Sequence, residues 1–170
     1  MSFTLDIKNF VEKAKKNPET VARQVSFKLF SAVIKGSPVD TGRFRMNWQT
    51  AGAVAPSGVI DGTDKGGAGA IGDAASYIFA ASDWNEFTLT NNLPYAEVIE
   101  YGGYKAMFGY SSDLVGPVRP AGPSANFTGP IQPGRHNTIN GYSTQAPQGV
   151  VRVNVARFNT LLEEEAAKVR

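Results

Sequence analysis

The stretch SPVDTGRFRMNW, residues 37–48, decides how the chain is read. It contains Asp40-Thr41-Gly42, the triplet that carries the catalytic carboxylate in aspartic proteases, yet its neighbours are those of a turn. Gly36 and Pro38 stop a preceding helix, because glycine weakens a helix and proline lacks the N–H that would continue it. Asp, Thr and Gly then favour a bend, through side-chain-to-backbone bonds and glycine's tolerance of positive φ. Beyond the bend, Phe44, Met46 and Trp48 alternate with Arg43, Arg45, Asn47 and Gln49, the period of a half-buried strand. Pro38, Asp40, Thr41 and Gly42 are therefore expected to form a structural turn from helix to strand. The protease reading needs two carboxylates sharing a proton. One copy of the triplet is present, so that chemistry would need a homodimer, and Arg43 stands where a small residue would be expected.

Upstream, Ala22, Val25, Leu29, Ala32 and Val33 make an apolar stripe over residues 19–34, widened by Phe27, Phe30 and Ile34. This predicts a helix covered on more than one side. Residues 4–16 read as a shorter helix with Ile7, Phe10, Val11 and Ala14 on one face, and Asn17-Pro18 marks a new start or a kink near Pro18. Downstream, the glycine-rich residues 51–72 read as a mobile loop or irregular hairpin. Residues 73–82 read as a short helix capped by Asp73, and EFTLTNN as a strand with Phe87 and Leu89 on one face. A short helix is expected from Pro94 to Gly102-Gly103. Val151, Val155, Phe158, Leu162, Ala166 and Val169 predict a C-terminal helix from about residue 150. Its acidic trio, Glu163–Glu165, reads as an exposed face in which Glu164 pairs with Lys168. The segment 104–148 combines Pro117, Pro120, Pro123, Pro130, Pro133 and Pro147 with Tyr104, Phe108, Tyr110, Phe127 and Tyr142. It is too aromatic for a solvated linker, and reads as an extended loop or arm that orders on a partner. The expected architecture is one α+β domain over 1–170: a long N-terminal helix, a small antiparallel sheet, a C-terminal helix and this inserted arm.

Chemistry-bearing motifs are few. The chain has no cysteine and a single histidine, His136, so disulfides, thiolate metal sites and two-histidine zinc motifs are excluded, and no metal or cofactor is expected. Gly67 to Gly72, GAGAIG, matches the dinucleotide-binding glycine pattern, but no apolar strand precedes it and no repeated βαβ alternation surrounds it. A flexible loop is the simpler reading. No nucleophile, base and orienting group come together in the sequence, so no enzymatic activity is expected. The N-terminus shows no signal peptide, and no apolar run approaches the length of a membrane span. Charge is segregated: nine Lys/Arg against four Asp/Glu in 1–45, two against eight in 46–118, six against three in 119–170. Such asymmetry suits surfaces that meet copies of the same chain. A nucleic-acid-binding accessory role through the basic N-terminal helix is an alternative, though the asymmetry is mild for it.

Three segments, in order, carry a resemblance: SPVDTGRFRMNW, TLTNNLPYAEVIEYGG (88–103) and QAPQGVVRVNVARFNTLLEEEAAK (145–168). Together they resemble the neck or tail-completion proteins of long-tailed bacteriophages, in which a Pro-Val-Asp-Thr-Gly turn enters a strand. The resemblance covers residues 20–50, 87–103 and 145–169, and the Pro/Gly-rich insertion departs from it. It implies a structural virion component of the neck, forming a ring at the head–tail junction that completes or terminates the tail. The implied partners are the chain itself in six- or twelve-fold rings, neighbouring head-connector and tail-tube proteins, and DNA passing through the lumen without sequence specificity. No membrane is involved, and assembly would occur in the host cytoplasm. Tyr95, Glu97, Glu100 and Tyr101 on the short helix, and Lys13, Lys15, Lys16 and Arg23 on the basic one, are the expected complementary sides of a head-to-tail subunit contact.

Overall fold

The computed structural model describes residues 1–6, 18–102, 138–139, 142–143 and 145–168. Its centre is a pair of helices, α1 (Pro18–Gly36) and α3 (Ala68–Ala80). Of the apolar stripe predicted for α1, Ala22, Val25, Leu29, Phe30, Val33 and Ile34 are at most 5% exposed, joined by Val21, while Phe27 and Ala32 are half-buried. Against it α3 sets Ala70, Ala74 and Ile78, spaced by four so that they share one face. Small residues at two of those three positions let the helices approach closely. They run antiparallel: Ile34 at the end of α1 lies by Gly67 before α3, and Arg23 near its start reaches the Ile78 and Ala81 carbonyls at the other end.

A three-stranded antiparallel sheet lies alongside, with β3 (Glu86–Asn91) between β1 (Ser2–Asp6) and β2 (Trp48–Ala51). The register sets Phe3 opposite Leu89 and Asp6 opposite Glu86 on one side, and Trp48 opposite Asn91 on the other. Being central, β3 is buried on both faces. Phe87 and Leu89 join the apolar core, while Thr88 and Thr90 are equally covered. The chain continues through α4 (Ala96–Tyr101), the two-stranded ladder of β4 (Thr138–Ile139) and β5 (Tyr142–Ser143), α5 (Val151–Val155) and α6 (Phe158–Lys168). Phe158 and Leu162 seat α6 against α1. The fold is mixed α+β.

Several expectations change. Residues 43–46 do not begin a strand; they form one helical turn, α2 (Arg43–Met46), and the strand starts at Trp48. Gly42, with φ 94°, starts the turn, and its carbonyl accepts the Met46 N–H. Phe44 and Trp48 are four apart as well as two steps of an alternation, so their burial fits a helical turn equally well. The Gly67–Gly72 stretch is not a loop: Ala68 opens α3, capped from upstream rather than by Asp73. Residues 4–6 are strand, held by pairing to β3, rather than the start of a helix. The described helix α1 begins at Pro18, and residues 7–17, with the expected kink and helix 4–16, otherwise lie outside the described residues. The C-terminal helix breaks at residues 156–157, which turns Val155 outward. Glu163 and Glu164 are exposed as expected, but Glu165 is buried and bonds Lys28 and Lys168, so the trio is not one solvated face. Most of the 104–148 arm lies outside the described residues; within it, β4 and β5 make an antiparallel ladder.

Candidate interaction site

The turn at residues 37–42 is tied into the fold from several directions. Ser37 Oγ donates to the Val33 carbonyl at 2.8 Å and accepts the Trp48 indole N–H at 2.7 Å, satisfying the polar edge of a ring that is only 1% exposed. Gln145 reaches the turn from far along the chain. Its Oε1 accepts the Val39 N–H at 2.7 Å and its Nε2 donates to the Val39 carbonyl at 3.0 Å. The amide thus imitates one rung of a strand ladder. Thr41 Oγ1 accepts the Arg43 N–H at 3.3 Å, and Asp40 is exposed. Pro38, Asp40, Thr41 and Gly42 therefore sit together in a turn that leads into α2.

The same turn is braced against the start of α3. The Asp64 N–H donates to the Gly42 carbonyl, and Arg45 donates to the carbonyls of Lys35, Ser37 and Lys65. Asp64 Oδ1 accepts the N–H groups of Gly66 and Gly67, and Oδ2 that of Gly69, all at 2.8–2.9 Å. The Gly69 N–H above all, with help from Gly67 and Gly66 and partial opposition from desolvation, holds the Asp64 carboxyl below the usual aspartate value. This carboxylate fills the helix N-terminus where a pyrophosphate would lie in a dinucleotide site. A depressed carboxyl contributes stability above its unfolded value, about 3.9, and that contribution is lost as the pH falls through its folded value. Asp64→Asn is accordingly expected to melt below the wild type at pH 7, with the gap closing as the pH falls below about 4. Thermal unfolding across that range checks it.

The short helix α4 holds the second group of candidate residues. Phe44 stacks on Tyr95 with ring centroids 5.9 Å apart and meets Trp48 edge-on at 5.7 Å. Tyr95 is half-buried, and burial pushes its hydroxyl up from the ordinary tyrosine value. Glu100 is 1% exposed. Its Oε2 accepts the N–H groups of Val150 and Val151 at 2.7 and 2.8 Å, and its Oε1 accepts the Arg152 N–H at 2.9 Å and Nε at 3.1 Å. One buried carboxylate thus satisfies the orphan donors that open α5 and neutralises an arginine. Gly149, with φ 79°, lies so close that a β-carbon there would come within 2.5 Å of the Glu100 carbonyl. Arg152 then covers Tyr101, its guanidinium 5.2 Å from the ring centroid. Tyr101 is 61% exposed, and Val153 and Val155 on α5 are also exposed.

The expected contact surface is therefore redistributed. Tyr101 and Glu97 face outward, whereas Tyr95 stacks inside and Glu100 is committed to α5. Arg23 is likewise internal: 9% exposed, it pairs with Glu19 and donates to the Ile78 and Ala81 carbonyls, so it belongs to no basic surface. Lys13, Lys15 and Lys16 lie outside the described residues, as does His136. Nothing in the sequence reading singled out Arg152, Gln145 or Asp64. A signal was present for Asp64, an Asp four residues before the first residue of a glycine-flanked helix, but the expectation of a loop hides it. Among the described residues no cluster of three His, Cys, Asp or Glu is placed to hold a metal, and no helix is long and apolar enough to cross a membrane. Comparisons with family models, curated proteins and solved structures give no match.

Proposed function

We propose that this protein is a structural, non-enzymatic component of the phage neck, forming a closed ring at the head–tail junction that completes or terminates the tail. The observation that supports it is where the three resembling segments lie in the fold. Residues 37–48, 88–103 and 145–168 are joined to one another by Gln145 on Val39, Glu100 on α5, Asn91 Nδ2 on the Phe44 carbonyl and Tyr95 on Phe44. Segments distant in sequence act as one structural unit, as expected if the resemblance rests on a shared core. Tyr101, Val153 and Val155 are the exposed apolar groups of that unit, and Tyr101, the most exposed of them, suits a head-to-tail contact with the next subunit. Six or twelve copies would enclose a channel through which DNA passes without sequence-specific contacts, with head-connector and tail-tube proteins on either side.

Tyr101 is the chosen anchor. Truncating a hot-spot aromatic costs about 2 kcal/mol or more, roughly thirtyfold in affinity per contact. Tyr101→Ala is expected to lower ring occupancy at concentrations where the wild type assembles, with little change in monomer stability. Native mass spectrometry or light scattering, alone and with head and tail components, reads this directly. A chain that stays monomeric in every mixture would sink the ring. Peptide cleavage abolished by Asp40→Asn would replace it with the homodimeric protease.

A further inference from the structure

The helix α3 is apolar nearly all round. Its 13 residues, AGAIGDAASYIFA, hold one charged side chain, Asp73. A helix of that kind belongs in an interior, whereas a helix that faces water carries charge on its outer side. Ala70, Ala74 and Ile78 pack into the core, and Tyr77 turns edge-on to Phe87 of β3. That leaves Ile71, Ala75 and Phe79, spaced by four along the flank nearest α1, with Phe79 46% exposed. On α1 the half-buried ring of Phe27 lies 5.6 Å from that of Phe79, and Ser31 follows one turn on. The flank is a two-helix face, aromatic toward one end, small in the middle, and none of these residues is charged.

The charges fall at the two ends of the face, and they differ in sign. Where α1 begins and α3 finishes stand Glu19 and Asp83. Glu19 pairs with Arg23 yet keeps its side chain half exposed, and Asp83 accepts from Asn85 and is exposed. Arg23 itself is 9% exposed and bonds the Ile78 and Ala81 carbonyls. Where α1 finishes and α3 begins stand Lys35 and Lys65, both exposed. Glu19 and Lys35 lie about 24 Å apart along the helix. A two-fold axis through the middle of the face lays the acidic end of each copy on the basic end of the other, so the patch is its own complement. The same operation sets the Phe27 and Phe79 rings of one copy over Ile71 and Ala75 of the other, large against small.

The face is modest in area. The 13 residues of α3 make about 20 Å of helix, and two helices side by side are about 20 Å wide, or about 400 Å² on each copy. The total, about 800 Å², is below the roughly 1,200 Å² at which stable complexes begin. It fits a reversible contact rather than a permanent one.

We propose that the α1–α3 flank is a self-association surface, on which two copies of this chain pack antiparallel about a two-fold axis as a weak dimer. The contact makes no use of Tyr101 and stands or falls independently of the ring.

The test is sedimentation velocity over a wide concentration range, on the Tyr101→Ala chain so that ring contacts do not contribute. A reversible monomer–dimer equilibrium is expected. Phe79→Ser is expected to weaken it at least about tenfold, since the ring is lost twice by symmetry. Lys35→Glu with Lys65→Glu, at exposed positions that leave the fold intact, should weaken it about tenfold, and added salt should shrink that difference. Asp83→Lys should also weaken it. An equal mixture of the Asp83→Lys chain with the doubly substituted lysine variant should dimerise more tightly than either alone, because opposite ends attract only in the mixed pair. No gain on mixing overturns the antiparallel pairing, and a chain that stays monomeric up to about 1 mM overturns the proposal outright. Hydroxyl-radical labelling then names the alternative. Phe79 protected in a monomer is covered by the chain's own residues, and Phe79 labelled lies open to a different protein.

Discussion

Gly42→Ala is expected to lower the midpoint of thermal unfolding by roughly 5–15 °C, the effect of about 2–5 kcal/mol in a domain of this size. Two independent costs combine. Gly42 has φ 94°, a conformation that an L side chain resists by about 1–2 kcal/mol. A β-carbon there would also lie 2.5 Å from the Asp64 carbonyl carbon and the Lys65 nitrogen, which are backbone atoms and cannot rotate aside. Relieving that clash, at about 1–3 kcal/mol, means moving the very loop from which Asp64 caps α3. Asp40→Asn, two residues away in the same turn but exposed, should leave the stability within about 0.5 kcal/mol of the wild type. Paired thermal melts of the two variants give the result. Equal and small effects would show that the turn accommodates a side chain after all.

Glu100→Ala should be as costly by a different route. It strips the acceptor from three N–H groups at the start of α5 and removes the carboxylate that Arg152 Nε also bonds. Arg152, half exposed, keeps backbone acceptors and water, so the cost falls on the three N–H groups left without an acceptor, about 1–3 kcal/mol for each that stays buried. Glu100→Gln preserves the shape but turns an NH₂ toward groups that are already donors, so it should rescue only part of the loss. The exposed neighbour Glu97 is the control: Glu97→Gln should be nearly silent. Amide exchange at Val150, Val151 and Arg152 discriminates this from general weakening, because those protons should lose protection before the core strand β3 does.

How much of this was legible depends on whether local pattern and tertiary contact agree. The stripe of α1 and the strand EFTLTNN are spelled out by side chains that face the core at their own period, and the structure buries those side chains. The turn at 38–42 was readable because glycine and proline act locally. The helical turn 43–46 was misread because Phe44 and Trp48 satisfy two periods at once, and only the positive φ of Gly42 and its contact with Asp64 choose between them. Likewise α3 looked like a loop because Gly67, Gly69 and Gly72 are poor helix formers. The Asp64 carboxylate just upstream and close packing on α1 overcome that preference. The β4–β5 ladder had the strongest short hairpin signal in the sequence, Asn140-Gly141 between Ile139 and Tyr142, and it was passed over within a proline-rich run. The buried roles of Glu100 and Arg23 were not legible at all. A charged residue on a short amphipathic stretch reads as solvated until its distant partners, here residues 150–152 and the end of α3, are known.

Gln145 on Val39 and Glu100 on Val150 have a consequence for how the chain can vary. Side-chain bonds fasten the chain on both sides of residues 103–144: Glu100 holds the start of α5, and Gln145 holds Val39. Once both sides are fixed, the entropy of closing whatever lies between grows only with the logarithm of its length, about 0.6 kcal/mol for each doubling. A change in the number of residues between Gly102 and Thr138 thus carries a closure cost of that small size, while β5 keeps its contact with α4. Substitutions in the clasp itself, at Gln145 or Glu100, therefore cost the fold more than changes in the length of chain that the clasp closes.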